Sequence, residues 1–142
     1  RRFLRAVRFW NHVECGDHYY RAMSSWAVLL AATGFKIDVP RRTLTVAPPF
    51  RLAQLRAPWV SSTGWGSLRM NEGRCEIVCR AGSLAFQALR LDLADRRLTA
   101  RLNGRALAAK LSREDGLAVL RFARERRLRA GDALSVQAEG GA

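Results

Sequence analysis

The sequence predicts an α+β chain: one and a half helices at the start, then about seven to nine short strands. Three observations predict it. A largely apolar stretch from Tyr19 to Thr33, bounded by Asp17 and Gly34, has the length and punctuation of a helix. From Phe35 onward, apolar and polar residues alternate in short stretches. Turn residues, Asn103–Gly104 above all, separate those stretches. At 142 residues the chain has the length of one domain and enough apolar content to bury a core.

Each element can be justified in order. Phe3, Val7 and Trp10 recur at helical spacing with Arg1, Arg5 and Arg8 outside them, which reads as the last turns of a helix. Residues 11–17 break it. Asp17 is a good N-cap, because its carboxylate can accept from the first free backbone N–H groups. Gly34 suits the position after the helix, where the left-handed conformation costs glycine little. Tyr19, Tyr20, Met23, Trp26, Val28, Leu29 and Leu30 point in nearly all directions, so this helix is expected to be buried in something larger. His18, Arg21 and Ser25, with Ser24 beside them, form its one polar stripe and would line a cleft.

The strands follow. "FKIDV" and "TLTVA" read as a hairpin around Pro40, Arg41 and Arg42. Pro48, Pro49 and Pro58 mark an irregular stretch. "GWGSLRM", "RCEIVCR" and "SLAFQALRLDL" read as successive strands, broken at Glu72–Gly73 and at Ala81–Gly82. "RLTARLNGRALAAKL" is a hairpin on a type I′ turn, since Asn103 and Gly104 both tolerate positive φ. "LAVLRF" and "ALSVQA" complete the set, with "RAGD" as the turn before the last strand, and "EGGA" is expected to fray.

The charge balance narrows the function classes. Lysine and arginine together number 25 against 12 acids, a net charge of +13. Only Lys36 and Lys110 are lysines, and the arginines are spread along the chain. That pattern argues for a solvated basic surface over a specific nucleic-acid interface. The longest apolar run, Trp26 to Ala32, is far below the ~20 residues of a membrane-spanning helix. The start "RRFLRAVRFW" lacks the apolar centre of a signal peptide, and Arg1 is not an initiator Met. These features lead to the expectation of a cytoplasmic fragment or processed product. Three cysteines, an odd number, suggest reduced thiols. Cys75 and Cys79, four apart on a strand, would share one face and pack, because two thiols fall short of a zinc site.

Chemistry concentrates in residues 11–21. Asp17 can cap the helix and pair with Arg21 at i,i+4, a purely structural role. Alternatively, an arginine in an apolar wall presents a rigid fork of donors to a polar ligand. Sugars suit such a wall, since their hydroxyls take hydrogen bonds from Arg, Glu and His while their C–H faces pack on Trp or Tyr. No constellation here suffices for catalysis. Cys15 and His18 lie only three residues apart and lack context. Glu14 and Asp17 are too close in sequence to stand as the two carboxylates, ~5–5.5 Å apart, that flank the sugar in a retaining glycosidase.

"ECGDHYYRAMSSWAVLLAATGF" (14–35), then a proline, "LTVAP" (44–48) and "TGWGSLRM" (63–70) together resemble the C-terminal end of glycoside hydrolase family 116. That family includes bacterial β-glucosidases and the animal non-lysosomal glucosylceramidase. The resemblance covers most of residues 10–93 in order and fades beyond. It implies that residues 1–34 are the end of an (α/α)₆ catalytic barrel, comprising one partial and one buried helix. Residues 35–142 would be a mainly antiparallel β-rich C-terminal region packing on that barrel, without being an independent domain. The implied fold is thus an α+β fragment: terminal helices of an (α/α)₆ barrel followed by β structure.

The resemblance also implies a function, namely part of a retaining β-glycosidase acting on β-linked glycosides. The nucleophile and the acid/base would lie upstream, leaving no catalytic residue in this chain. Arg21 stands where the "HY-x-R" motif places a glucose-binding arginine. Glu14, Cys15 and Gly16 match the segment before it, whereas His12 stands where the family places an acid. An imidazole can still donate to or accept from a hydroxyl. The candidate substrate-binding residues are therefore Arg21, His12, Glu14 and His18. No metal or cofactor is expected. The expected partners are a glycoside substrate and an upstream part of the same protein, with no specific nucleic acid and no feature that supports membrane-surface association.

Overall fold

The computed structural model describes residues 19–50, 53–94 and 97–139. One helix, α1 (Tyr19–Thr33), precedes ten strands: β1 (Phe35–Asp38), β2 (Thr43–Val46), β3 (Leu55–Val60), β4 (Gly64–Met70), β5 (Arg74–Leu91), β6 (Leu98–Leu102), β7 (Arg105–Leu107), β8 (Lys110–Glu114), β9 (Leu117–Arg129) and β10 (Ala133–Ala138). The fold class expected from the resemblance is therefore corrected. Among the described residues the protein is mostly a mixed β-sheet with a single helix, and it is not an α+β fragment built on the terminal helices of an (α/α)₆ barrel. The physical reason is the reach of the period-two pattern. It runs from Phe35 to Ala138, and the hydrophobic core it produces draws on residues from Phe35 to Val136.

β5 organises the sheet. Its first half pairs with β4 and β10, which extend to β3 on one side and to β6 and β7 on the other. Its second half pairs in parallel with β2 and antiparallel with β9, which extend to β1 and β8. The buried phase changes near the middle of the strand and changes back beyond the irregularity between Phe86 and Ala88, where Leu89 and Leu91 are buried. Cys75, Ile77 and Cys79 face inward in the first half, and Leu84 and Phe86 in the second. The phase changes around Gly82, whose φ of +69° and close approach to the Thr63 carbonyl exclude any Cβ. Ala81–Gly82 is thus a bend inside one strand, where the sequence reads as a break between two.

Several local expectations are met. α1 ends at Thr33, and Gly34 follows with φ +58°, donating to the Leu30 carbonyl at 3.0 Å. The β1–β2 hairpin turns through Val39–Arg42, with the Asp38 carboxylate accepting from the Arg41 backbone N–H at 3.0 Å. Asn103 and Gly104 both have positive φ, as a type I′ turn requires. Asp115–Gly116 repeats that geometry between β8 and β9. Cys75 and Cys79 are both buried.

One further expectation is not met. The stretch around Pro58 is the regular strand β3, which pairs with β4 alone; an edge strand tolerates a residue without an N–H. Within this chain, the described side chains of the helix expected to be buried in something larger are mostly open between Ser25 and Thr33: Trp26 is 62% exposed, Val28 66% and Leu30 52%.

Candidate functional site

α1 meets the sheet chiefly at β1 and β3. Leu29, Ala32 and Thr33 are its partly or fully buried positions between Ser25 and Thr33, the i, i+3, i+4 stripe of a helix resting on a surface. The junction is fixed by polar contacts. The Thr33 hydroxyl donates to the Leu29 carbonyl at 2.8 Å and accepts from the Phe35 N–H at 3.3 Å. The Ala47 N–H donates to the Gly34 carbonyl at 3.3 Å. Below the helix end, Phe35 stacks on Trp59 with ring centroids 5.9 Å apart, a geometry that adds to the area both rings bury.

In the sequence, the candidate sugar residues stand before this helix and in its first turn. His12, Glu14 and His18 fall outside the described residues, as do Asp17 and the Cys15–His18 pair. Arg21 lies within α1, with its side chain outside what is described. Ser25, the next member of the polar stripe, is exposed. What the structure adds is the setting: this segment leads into a helix whose apolar surface faces outward.

The "GWG" motif is explained by close packing. The Trp59 indole N–H donates to the Val78 carbonyl at 3.0 Å, laying the ring across β4 at Gly66. A Cβ on Gly66 would come within 1.8 Å of the Val78 oxygen and 2.7 Å of Trp59 Nε1. One on Gly64 would come within 2.5 Å of the Ala81 oxygen. Both glycines let β4 approach β5 where the register shifts between Trp65 and Gly66. Trp65, paired with Val60 and Ala81, is 53% exposed on the outer surface. The sequence marks this motif and does not show the display of Trp65. Two glycines flanking an aromatic in an alternating strand were the available signal.

The two described thiols, Cys75 and Cys79, are held in their protonated form. Burial, with the neighbouring Glu76 carboxylate adding to it, pushes the Cys75 thiol up to about 12. Burial likewise raises Cys79, and Asp132 adds to that shift. Both stay protonated at neutral pH, so neither is primed as a nucleophile or metal ligand. Among the described residues no group of three or more His, Cys, Asp and Glu side chains could hold a metal ion, and no helix is long and apolar enough to cross a membrane. No protein-family model matches the chain, and no curated protein matches it.

Proposed function

We propose that this chain is the C-terminal portion of a retaining β-glycosidase of the family 116 kind. It contributes sugar-subsite residues, while the nucleophile and acid/base belong to an upstream part of the same protein. The observation that carries the reading is the open apolar surface of α1. A helix with Trp26, Val28 and Leu30 exposed leaves large apolar side chains in water, which a further body of protein packed on it would remove. That surface belongs to the segment whose residues resemble the family's sugar-binding motif, "HYYRAMSSW". Packing there would set Arg21, with His12, Glu14 and His18, at the contact between the two parts. The glycine-dependent packing of Trp59 gives "TGWGSLRM", the third element of the resemblance, a structural reason to exist.

The test is hydrolysis of an aryl-β-glucoside. The 142-residue chain alone should release no aglycone. The full product of the gene should turn over. Its Arg21→Ala variant should lose about ten- to a hundredfold in kcat/KM, the cost of losing a hydrogen bond from a charged group. Full turnover by that variant would remove the sugar-subsite assignment.

One observation favours a second reading, a non-catalytic relative that acts as a binding or structural module. His12 stands where the family places an acid, and an imidazole cannot supply a bidentate carboxylate to a sugar. A full-length product that binds glucose without hydrolysing the glucoside would select this reading.

A further inference from the structure

The outer surface of the β3–β4–β5–β10–β6 layer carries an arrangement of charge unrelated to the sugar segment. The pairing register places Arg56 opposite Arg69, Arg69 opposite Glu76, Glu76 opposite Ser135, and Ser135 opposite Arg101. All lie on the outward phase, opposite to that of buried Leu55, Leu68, Cys75, Leu134 and Ala100. Arg74, two residues before Glu76 on β5, shares this surface.

Glu76 holds two of the arginines. Its carboxylate lies 3.2 Å from Arg74 Nη2 and 3.8 Å from Arg69 Nη1, and its side chain is only 23% exposed. Arg56 has no ion pair or hydrogen bond for its guanidinium among the described residues. It stands directly across from Arg69, and like charges at facing positions of two strands destabilise the pair. The result is a groove of about 240 Å³ lined by Gln54, Arg56, Arg69, Asn71, Arg74 and Glu76. Three guanidinium groups stand there beside one carboxylate, which pairs with only two of them.

We propose that this groove binds a phosphate-type tetrahedral oxyanion, free or as a small monoester. Guanidinium forks match such oxygens in geometry and charge. Glu76 pre-sets Arg69 and Arg74, which lowers the ordering cost of binding. Arg56 supplies the unspent charge, and the oxyanion relieves its repulsion with Arg69. The volume suits a phosphate or small phosphomonoester. The Gln54 and Asn71 amides at the rim can meet its hydroxyl or ester oxygens.

The experiment is thermal unfolding of the full chain in sodium phosphate against sodium chloride at equal ionic strength. Phosphate should raise Tm by about 3–5 °C beyond chloride. Arg56→Gln should unfold at or above the wild-type Tm in chloride, because the like-charge pair is gone, and should lose the rise in phosphate. Arg129→Gln removes an equal charge from the other layer, where Arg129 pairs with Ser83, and should keep the rise. A wild type that responds equally to both salts overturns the proposal. So does an Arg56→Gln variant that keeps the full rise, or an Arg129→Gln variant that loses it. Co-sedimentation with phosphatidylcholine vesicles carrying phosphatidic acid identifies the source. An Arg56-dependent pellet assigns the oxyanion to a lipid headgroup, and a phosphate response without one assigns it to a soluble phosphate.

Discussion

The two regions of this molecule treat apolar residues in opposite ways. From Phe35 to Ala138, most large apolar side chains are sorted by strand alternation into one core, with Leu44, Leu68, Leu89 and Leu91 wholly removed from water and a few, Trp65 among them, left outside. In α1, side chains of the same kind stand in solvent. The lesson is that the sheet is self-sufficient in burial and the helix is not. Period-two strands find partners in one another, whereas a helix apolar in all directions needs cover on all sides. Between Ser25 and Thr33 the sheet covers the Leu29–Ala32–Thr33 stripe and leaves the rest open.

Three measurements would break or sharpen this contrast. The largest effect belongs inside the sheet. Gly66→Ala must push aside the Val78 carbonyl and the Trp59 indole, so it should cost about 3–5 kcal/mol in denaturant unfolding. A cost below ~1 kcal/mol would mean that β4 and β5 are less tightly apposed than described. A smaller effect is expected on the helix. Trp26→Ser should change the stability of the chain by no more than about 0.5 kcal/mol, despite removing the bulkiest side chain, and should reduce self-association in sedimentation. A loss comparable to a core truncation, about 3 kcal/mol or more, would show that Trp26 is buried after all.

The smallest effect concerns the turns. Asp132 accepts from the Arg129 backbone N–H at 2.7 Å and from the Asn103 side-chain amide at 2.7 Å, and these bonds hold its carboxyl below the usual 3.8. A carboxyl with a lowered folded-state pKa adds stability above its unfolded value, and that contribution is lost as the pH falls through the folded one. The stability difference between wild type and Asp132→Asn should therefore be present at pH 7 and shrink below about pH 4. A difference of equal size at pH 7 and pH 3 would assign the effect to the turn's shape instead of its charge.

What was legible in the sequence was local. Gly34 and Asn103–Gly104 declare their backbone conformations, and Cys75 and Cys79 declare a common face by spacing alone. The helix limit at Thr33 followed from its punctuation. The continuity of β5 was not legible, because Ala81–Gly82 carries the same signal as a turn. Only the pairing of Gly64 with Gly82 and of Trp65 with Ala81 reveals a bend. Pro58 misled in a similar way, since an edge position excuses it and edges are set by topology. The exposure of α1 was hidden for a different reason: the sequence shows that a helix needs cover and is silent on whether the cover lies in the same chain. Of the candidate sites, the sugar segment was visible as a motif. The Arg56–Arg69–Arg74 groove was not, because its members sit on three strands and meet only through register.

The single long strand β5 has a consequence for how the molecule comes apart. Its eighteen residues run through both layers, the first half in the one with β4 and β10 and the second half in the one with β2 and β9. Neither layer can lose its central strand without the other losing it too. The two layers therefore form one cooperative unit, with amide protection along β5 set by global opening and not by local fraying. Proteolysis or recombination between residues 74 and 91 would leave two pieces, each with a sheet cut through its middle. Viable boundaries in this protein must fall on either side of that span.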